Sequence, residues 1–449
     1  VSRKCRNHGL SALLDEVEWS AAELARAVNA LGSRQGMTLR YDRTSVAHWL
    51  AGSRPRKAVP GLVAQALSQR SGHLITVEET GLAPEPRSPA QLGTGWAADS
   101  DPRNRLAALC RAETDPARRV VLQRTAYGVH PVKLPSWPDG PPAAPPGGEA
   151  GRSAAEVSIL RNMGCVFASL TDVSGGGHAR TALAAYLADD AAPILLARTG
   201  AQWHEQRLLE CAQLTHLLAN MTDDAGHHGL AQAHYRIALA LAHRAGDRSA
   251  YATTLRALST QALRLGHLQY AADLAGAAVG SAGQVTSDTR AFLLAQRALV
   301  HARTGHRSQA REDLKTAERV HGQIPASAGP FTFYPRAGLD YQRGETFYAL
   351  GHTDAALTAF RDAEAHRPSA QRRPYALAQA RFAEVLARSG HLEEACRHWH
   401  VFLDHYPHLS SVHVERAVDT LHRAVRSFPR QPQARAVSDR ARELSGRRL

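Results

Sequence analysis

Apolar residues recur at three- and four-residue steps along most of this chain, the spacing of one buried helix face. In "SAAELARAVNAL", Leu24, Ala27, Val28 and Leu31 form such a stripe. In "YDRTSVAHWLAG", Val46, Trp49 and Leu50 form another. Residues 153–446 read as helix after helix, with no alternating strand pattern. The expected fold class is all-α.

Polar positions mark where helices start and stop. Ser20 with Glu23, and Thr76 with Glu79, have capping-box spacing. Asp42 suits the N-cap of the helix that carries Val46 and Trp49. Gly52 ends that helix and Pro55 prevents its resumption. Proline and glycine then cluster in "APEPRSP" and "PSWPDGPPAAPPGGEAG", which read as linker. Three zones follow: a small helical domain over 1–82, a linker over 83–152 with one helical segment at about 101–129, and a long helical domain over 153–449.

The long domain repeats itself. Glycine followed by histidine stands at Gly226, Gly266, Gly305, Gly351 and Gly390, at intervals of 40, 39, 46 and 39 residues. Five residues after each glycine is an alanine: Ala231, Ala271, Ala310, Ala356 and Ala395. Seven residues further on stand Ala238, Ala278, Ala317, Ala363 and Phe402. Seven residues before each glycine stand Ala219, Ser259, Ala298, Gly344 and Ala383. Glycine supplies the left-handed helix stop, and small residues let paired helices approach closely. Such pairs cannot bury their apolar faces alone, so they stack into a solenoid.

In "YQRGETFYALGHTDAALTAFRDAEAHRP", Gly344, Phe347, Gly351, Ala356, Phe360, Ala363 and Pro368 fall on the signature positions of a tetratricopeptide repeat. The array from about 213 to 407 resembles that family, with a period longer than its usual roughly 34 residues. The 46-residue interval holds an insertion, "GQIPASAGPFTFYP", with Phe331, Phe333 and Tyr334. The insertion reads as a loop tucked on the neighbouring repeat, or as a pocket lid or dimer contact. The resemblance implies a concave wall formed by the first helix of each pair. Aligning on the glycines places Gln213, His216, Asn220, Arg256, Tyr341, Glu345, Tyr348 and Glu384 on that wall, as candidates for binding a peptide, small-molecule or protein effector.

The helix after Asp42 has a second face: Arg43, Thr44, Ala47, His48 and Ala51, with almost no acid. A helix entering a DNA major groove needs a narrow face of donors and acceptors, with its N-terminal residues nearest the bases. Cations beyond its end meet phosphates, and Arg54, Arg56 and Lys57 are so placed. With "ELA" in the preceding helix, "TSVAHWLAG" in this one and "RP" after it, residues 10–82 resemble the helix-turn-helix domain of lambda-repressor-like (Xre-type) regulators.

That resemblance implies base or groove contacts by Arg43, Thr44, Ser45 and His48. It implies backbone contacts by Arg54, Arg56 and Lys57, a double-stranded DNA operator and a homodimer. The joining segment "GSRQGMTLRY" is longer than the usual turn. It would tilt the second helix or add a small wing whose Arg34 and Arg40 touch phosphate. Leu50 replaces a glutamate common in the family. The whole arrangement resembles actinobacterial (Streptomyces-like) regulators of differentiation and antibiotic production and, more distantly, the peptide-sensing regulators of Gram-positive bacteria. "GGGHARTALAAYLADDAAPIL" and "HGLAQAHYRIALALAHRAGD" carry the actinobacterial likeness.

Charge agrees with a polyanionic partner without locating it: the formal net charge is +13 and the pI is near 10. Nearly all basic residues are arginine, since Lys4, Lys57, Lys133 and Lys315 are the only lysines. This and the abundant Ala, Gly and Pro suit a GC-rich bacterial genome, with Val1 as a translated GTG start. "VSRKCRNHGL" has no apolar signal region, and no run is apolar enough to span a membrane. The five cysteines are scattered with no CxxC, which fits a reducing cytoplasm.

"GGGHART" lacks phosphate-loop spacing and reads as a helix-joining loop. His398, His400, His405 and His408 lack metal-site spacing, and no HExxH or nucleophile-elbow motif is present. No cofactor, metal or catalytic set is expected. Two readings remain: a DNA-binding transcriptional regulator, more readily a repressor than an activator, and an interaction adaptor whose N-terminal helices do not read DNA.

Overall fold

The computed structural model describes residues 7–34, 37–53, 55, 59–71, 75, 77, 79–82, 101–132, 134–137, 150–197, 199–322 and 334–446. Among them there are helices and no strands. The chain divides into two compact units, Val1–Leu92 and Gly93–Leu449.

In the first unit, α1 (His8–Glu16), α2 (Ala21–Arg34), α3 (Arg43–Leu50) and α4 (Val59–Ser71) surround one core. Leu10, Leu24, Val28, Val46, Val63 and Leu67 are at its centre, closed by Trp49, Ile75 and Leu82. The Ser20–Glu23 capping box forms: the Ser20 amide donates to Glu23 (2.7 Å) and the Glu23 amide donates to the Ser20 hydroxyl (3.3 Å). Thr76, of the second expected capping box, lies outside the described residues. Helix α2 runs on through Gly32 to Arg34, so the connection to α3 is shorter than "GSRQGMTLRY" suggested. Its described part, 37–42, has no regular element.

The second unit begins with α5 (Pro102–Thr114) and α6 (Pro116–Gln123). The sequence pattern suggests a single helical segment within a linker. Asp115, a β-region N-cap followed by Pro116, instead breaks it into two helices. Both pack into the unit: Leu106, Leu109, Cys110 and Leu122 are in its main core. Residues 124–132 and 134–137 have no regular structure beyond the end of α6. The Gln232 side chain grips the backbone of Gly128 on both sides (3.1 and 2.7 Å), and Tyr127 stacks on His267.

Helices α7 (Ala150–Ser174) and α8 (Gly176–Tyr186), a π turn (Leu187–Ala191) and α9 (Ala192–Leu196) lead into the repeats. The repeat pairs are α10 (Ala201–Asp224) with α11 (His228–Arg244), α12 (Arg248–Arg264) with α13 (Leu268–Ser281), α14 (Ser287–Arg303) with α15 (Arg307–Val320), α16 (Arg336–Ala349) with α17 (Thr353–Ala365), and α18 (Arg372–Arg388) with α19 (Leu392–His405). Helices α20 (Val412–Val425) and α21 (Pro432–Gly446) cover the last pair.

The glycine–histidine register is the joint of every pair. All five glycines have φ between 80° and 89°. The histidine amide after each donates back five residues, to Thr222, Ala262, His301, Phe347 and Leu386 (2.8–3.0 Å), the six-to-one bond of a Schellman stop. All fifteen residues at the three aligned positions are buried. At Gly344 a Cβ would stand 2.7 Å from the Phe360 ring, so that crossing needs glycine.

The array closes on itself. Gly177 donates to the Ser410 carbonyl (2.9 Å) and Ser410 donates to the Ser174 carbonyl (2.8 Å). "GGGHART" is therefore a helix joint and also a docking seat for the loop before α20. Gly175 (φ 85°) has no room for a Cβ there, since the Ser410 carbonyl oxygen would be 2.5 Å away.

Candidate functional site

In the first unit, the buried side of α3 is Val46 and Trp49; Leu50 is half-buried. Arg43, Thr44, Ala47, His48 and Ala51 are all exposed. Asp42 caps the helix by accepting from the Ser45 amide (2.8 Å). The Ser45 hydroxyl also donates to Asp42 (2.8 Å), so this candidate contact already serves the cap. Hydrogen bonding to Ser45 holds the Asp42 carboxyl below its ordinary pKa.

Two asparagines fix this helix. Asn29 donates to the Tyr41 carbonyl (2.7 Å) and accepts from the Tyr41 amide (2.9 Å). The Asn7 amide donates to the Leu50 carbonyl (2.9 Å) at the other end, while its side chain accepts from Leu10 and donates to Thr80. Tyr41 packs edge-on against Trp49 at 5.1 Å. Sequence reading missed both clamps, because a lone asparagine carries no periodic signal. Arg40 and Arg43 are exposed and make no ion pair among the described residues. Arg54, Arg56 and Lys57, and the side chain of Arg34, lie outside the described residues.

The second unit carries a two-lobed cavity open to solvent. The upper lobe, about 500 Å³, is lined by His216, Asn220, Tyr235, Arg256 and Phe292 among others. The lower, about 940 Å³, is lined by Tyr341, Arg381, Glu384 and Arg416 among others. Arg264, Arg367, Arg373, Pro374 and His413 line both, so the lobes are continuous. Eight arginines and four carboxylates line the whole, so its wall is cationic.

Five of the eight candidate groove residues reach this cavity: His216, Asn220, Arg256, Tyr341 and Glu384. All five stand on one stripe: positions ten, six and two residues before the capping glycine lie four apart, one above another on the first helix of each pair. Glu345 shares that stripe but is drawn to Arg381 and lines neither lobe. Gln213 is off that stripe and lines a separate recess of about 110 Å³. Tyr348 also lines neither lobe; the Arg381 guanidinium lies 5.1 Å from its ring. Of the aromatic insertion, Phe331 and Phe333 lie outside the described residues. Tyr334 is buried against Phe292 at 4.8 Å, and lines the upper lobe.

Asp223 and Asp224 are both paired. Asp224 accepts two bonds from Arg373 (2.6 and 2.8 Å), one from Ser411 (2.6 Å) and one from the Gly176 amide (2.7 Å). Asp223 is held by Arg264, Gln261 and His228. Burial alone would raise both aspartates, but these partners outweigh it and hold both below the ordinary carboxylate range. His216, bonded to Thr254 (3.0 Å), is pushed down to about 4 by burial, so it is neutral.

Among the described residues no three His, Cys, Asp or Glu side chains gather as a metal site, and no helix is long and apolar enough to cross a membrane.

A family model described as the SP15 N-terminal domain matches residues 10–83. The match ends one residue past Leu82, the last member of the first unit's core. No curated protein and no solved structure matches the chain.

Proposed function

We propose that this chain is a cytoplasmic, sequence-specific DNA-binding regulator of bacterial differentiation or secondary metabolism, acting as a repressor. The observation that carries the reading is the outer face of α3. A rigid helix, buried through Val46 and Trp49 and clamped through Asn7 and Asn29, offers Arg43, Thr44 and His48 to solvent without an opposing acid. Such a face suits base edges in a major groove, and a net charge of +13 suits the phosphates around it. The closed repeat array is the sensing half, with its cationic cavity as the seat of an effector.

Operator reading of this kind uses two copies of the helix, so the working form is a homodimer. Ile159, Val166 and Val173 support it: they are exposed at seven-residue intervals along α7, the spacing of a helix–helix seam.

The test is binding of the full chain to the DNA upstream of its own gene, against unrelated DNA, at two salt concentrations. Retained preference for the upstream DNA at the higher salt supports the regulator. Equal loss on both DNAs supports the adaptor reading instead.

A further inference from the structure

The upper lobe holds three buried polar atoms with no hydrogen-bond partner: Arg256 Nε, Arg367 Nε and Tyr334 Oη. Arg256 lies over the Phe292 ring, its guanidinium carbon 3.6 Å from the ring centre. Its side chain makes no hydrogen bond or ion pair among the described residues. Two carboxylates of the lobe are committed elsewhere, Asp223 to Arg264 and Asp224 to Arg373. The third, Asp172, is raised by burial and acts on Arg367 and Arg373 rather than on Arg256. Among the described residues Arg367 donates to the Ala337 carbonyl (3.2 Å) and to no carboxylate. Arg256, Arg367 and Tyr334 all line this one lobe, and both guanidinium groups act electrostatically on Tyr334. Burial pushes Arg256 down to about 10, the mark of a cation lacking a counter-charge.

A buried, unpaired guanidinium destabilises a fold unless something brings it a charge. Here it faces an open space large enough for a metabolite. We infer that the upper lobe is a binding site for a small oxyanion, a phosphate or carboxylate group, gripped by Arg256, Arg367 and Tyr334, with the rest of the molecule against Phe292 and Tyr235. Arg256 supplies a planar fork of donors suited to either group. Stacking on Phe292 fixes that fork before the ligand arrives. This deepens the sensing half of the proposed function and does not depend on the DNA-binding half.

The test uses the full chain without DNA. Inorganic phosphate and benzoate are titrated separately at ionic strength matched with sodium chloride, and both heat and unfolding temperature are followed. Saturable binding of phosphate or of benzoate supports the site, and which one binds identifies the group. Tyr334→Phe keeps the ring and weakens binding about tenfold. Arg256→Met abolishes the response, and in anion-free buffer it unfolds no lower than the parent chain. No saturable response to either anion overturns the inference. So does an Arg256→Met chain that unfolds well below the parent, or a Tyr334→Phe chain that binds unchanged. Failure of operator binding leaves these readouts unaffected.

Discussion

Arg373 grips Asp224 across 149 residues of sequence, with two guanidinium bonds at 2.6 and 2.8 Å. The pair joins the first helix of the last repeat pair to the end of α10. Asp224 is buried, so removing its partner strands a charge. Arg373→Ala should lower stability by about 3–5 kcal/mol in urea unfolding. A loss below about 1 kcal/mol would mean that the Ser410 contacts close the array alone.

A second buried cluster sets acid sensitivity. Glu113 on α5 takes hydrogen bonds from Arg180 on α8 and His234 on α11. Burial alone would raise its pKa, but His234 and Arg180 outweigh this and hold it at about 2, below its ordinary 4.5. A depressed carboxylate stabilises the fold above its unfolded pKa. That contribution is full above about pH 4.5 and disappears as pH falls towards 2. Unfolding followed between about pH 6 and pH 2 should show this loss, and Glu113→Gln should flatten it. An unchanged acid limb in that variant would rule out Glu113 as its source.

On α3, Arg43→Ala with His48→Ala should leave the helical circular dichroism intact, since both side chains are exposed. It should remove operator preference, at about 1–3 kcal/mol for each base recognition removed. Competition binding between the upstream DNA and unrelated DNA measures it. Unchanged selectivity would defeat the assignment of this face.

The exposed stripe on α7 gives a prediction about assembly. Ile159→Glu with Val166→Glu should convert a dimer to a monomer in sedimentation while the helical circular dichroism stays unchanged, because neither residue is in the core. A monomeric parent chain, or a dimeric variant, would exclude this seam.

Two glycines separate backbone strain from crowding. Gly305 has φ 85° and open space where a Cβ would stand, so Gly305→Ala should cost about 1–2 kcal/mol through the backbone alone. Gly344→Ala meets the Phe360 ring at 2.7 Å. Phe360→Leu should partly rescue Gly344→Ala and leave Gly305→Ala unrescued in the same unfolding assay.

The repeat was legible because its physics is local. A left-handed stop and a small crossing residue must recur wherever helices turn and touch, so Gly266, Ala271 and Ser259 announce themselves in sequence. The same register found His216, Asn220 and Arg256, which stand on one stripe of the first helices. It could not find Arg367, Tyr334 or His413. These come from the turn before α18, the end of the insertion and α20, none of which carries the glycine register. The contact of Arg373 with Asp224 left no trace either, since pairing across 149 residues has no period. In the first unit the α3 faces were readable from helical spacing, while the Asn7 and Asn29 clamps depend on tertiary placement.

The seating of Ser410 on Gly175 and Gly177 changes how the second unit melts. An open stack of repeats loses its outermost members first, because each is held on one side only. Here the α7–α8 joint and the loop before α20 share hydrogen bonds, so the repeats between them have no free end from which to peel. The number of repeats is then set by geometry, as the number of staves is in a cask. Deleting one pair, such as 287–322, would leave a gap at the seam rather than a shorter but sound array, and the unit should come apart in a single step.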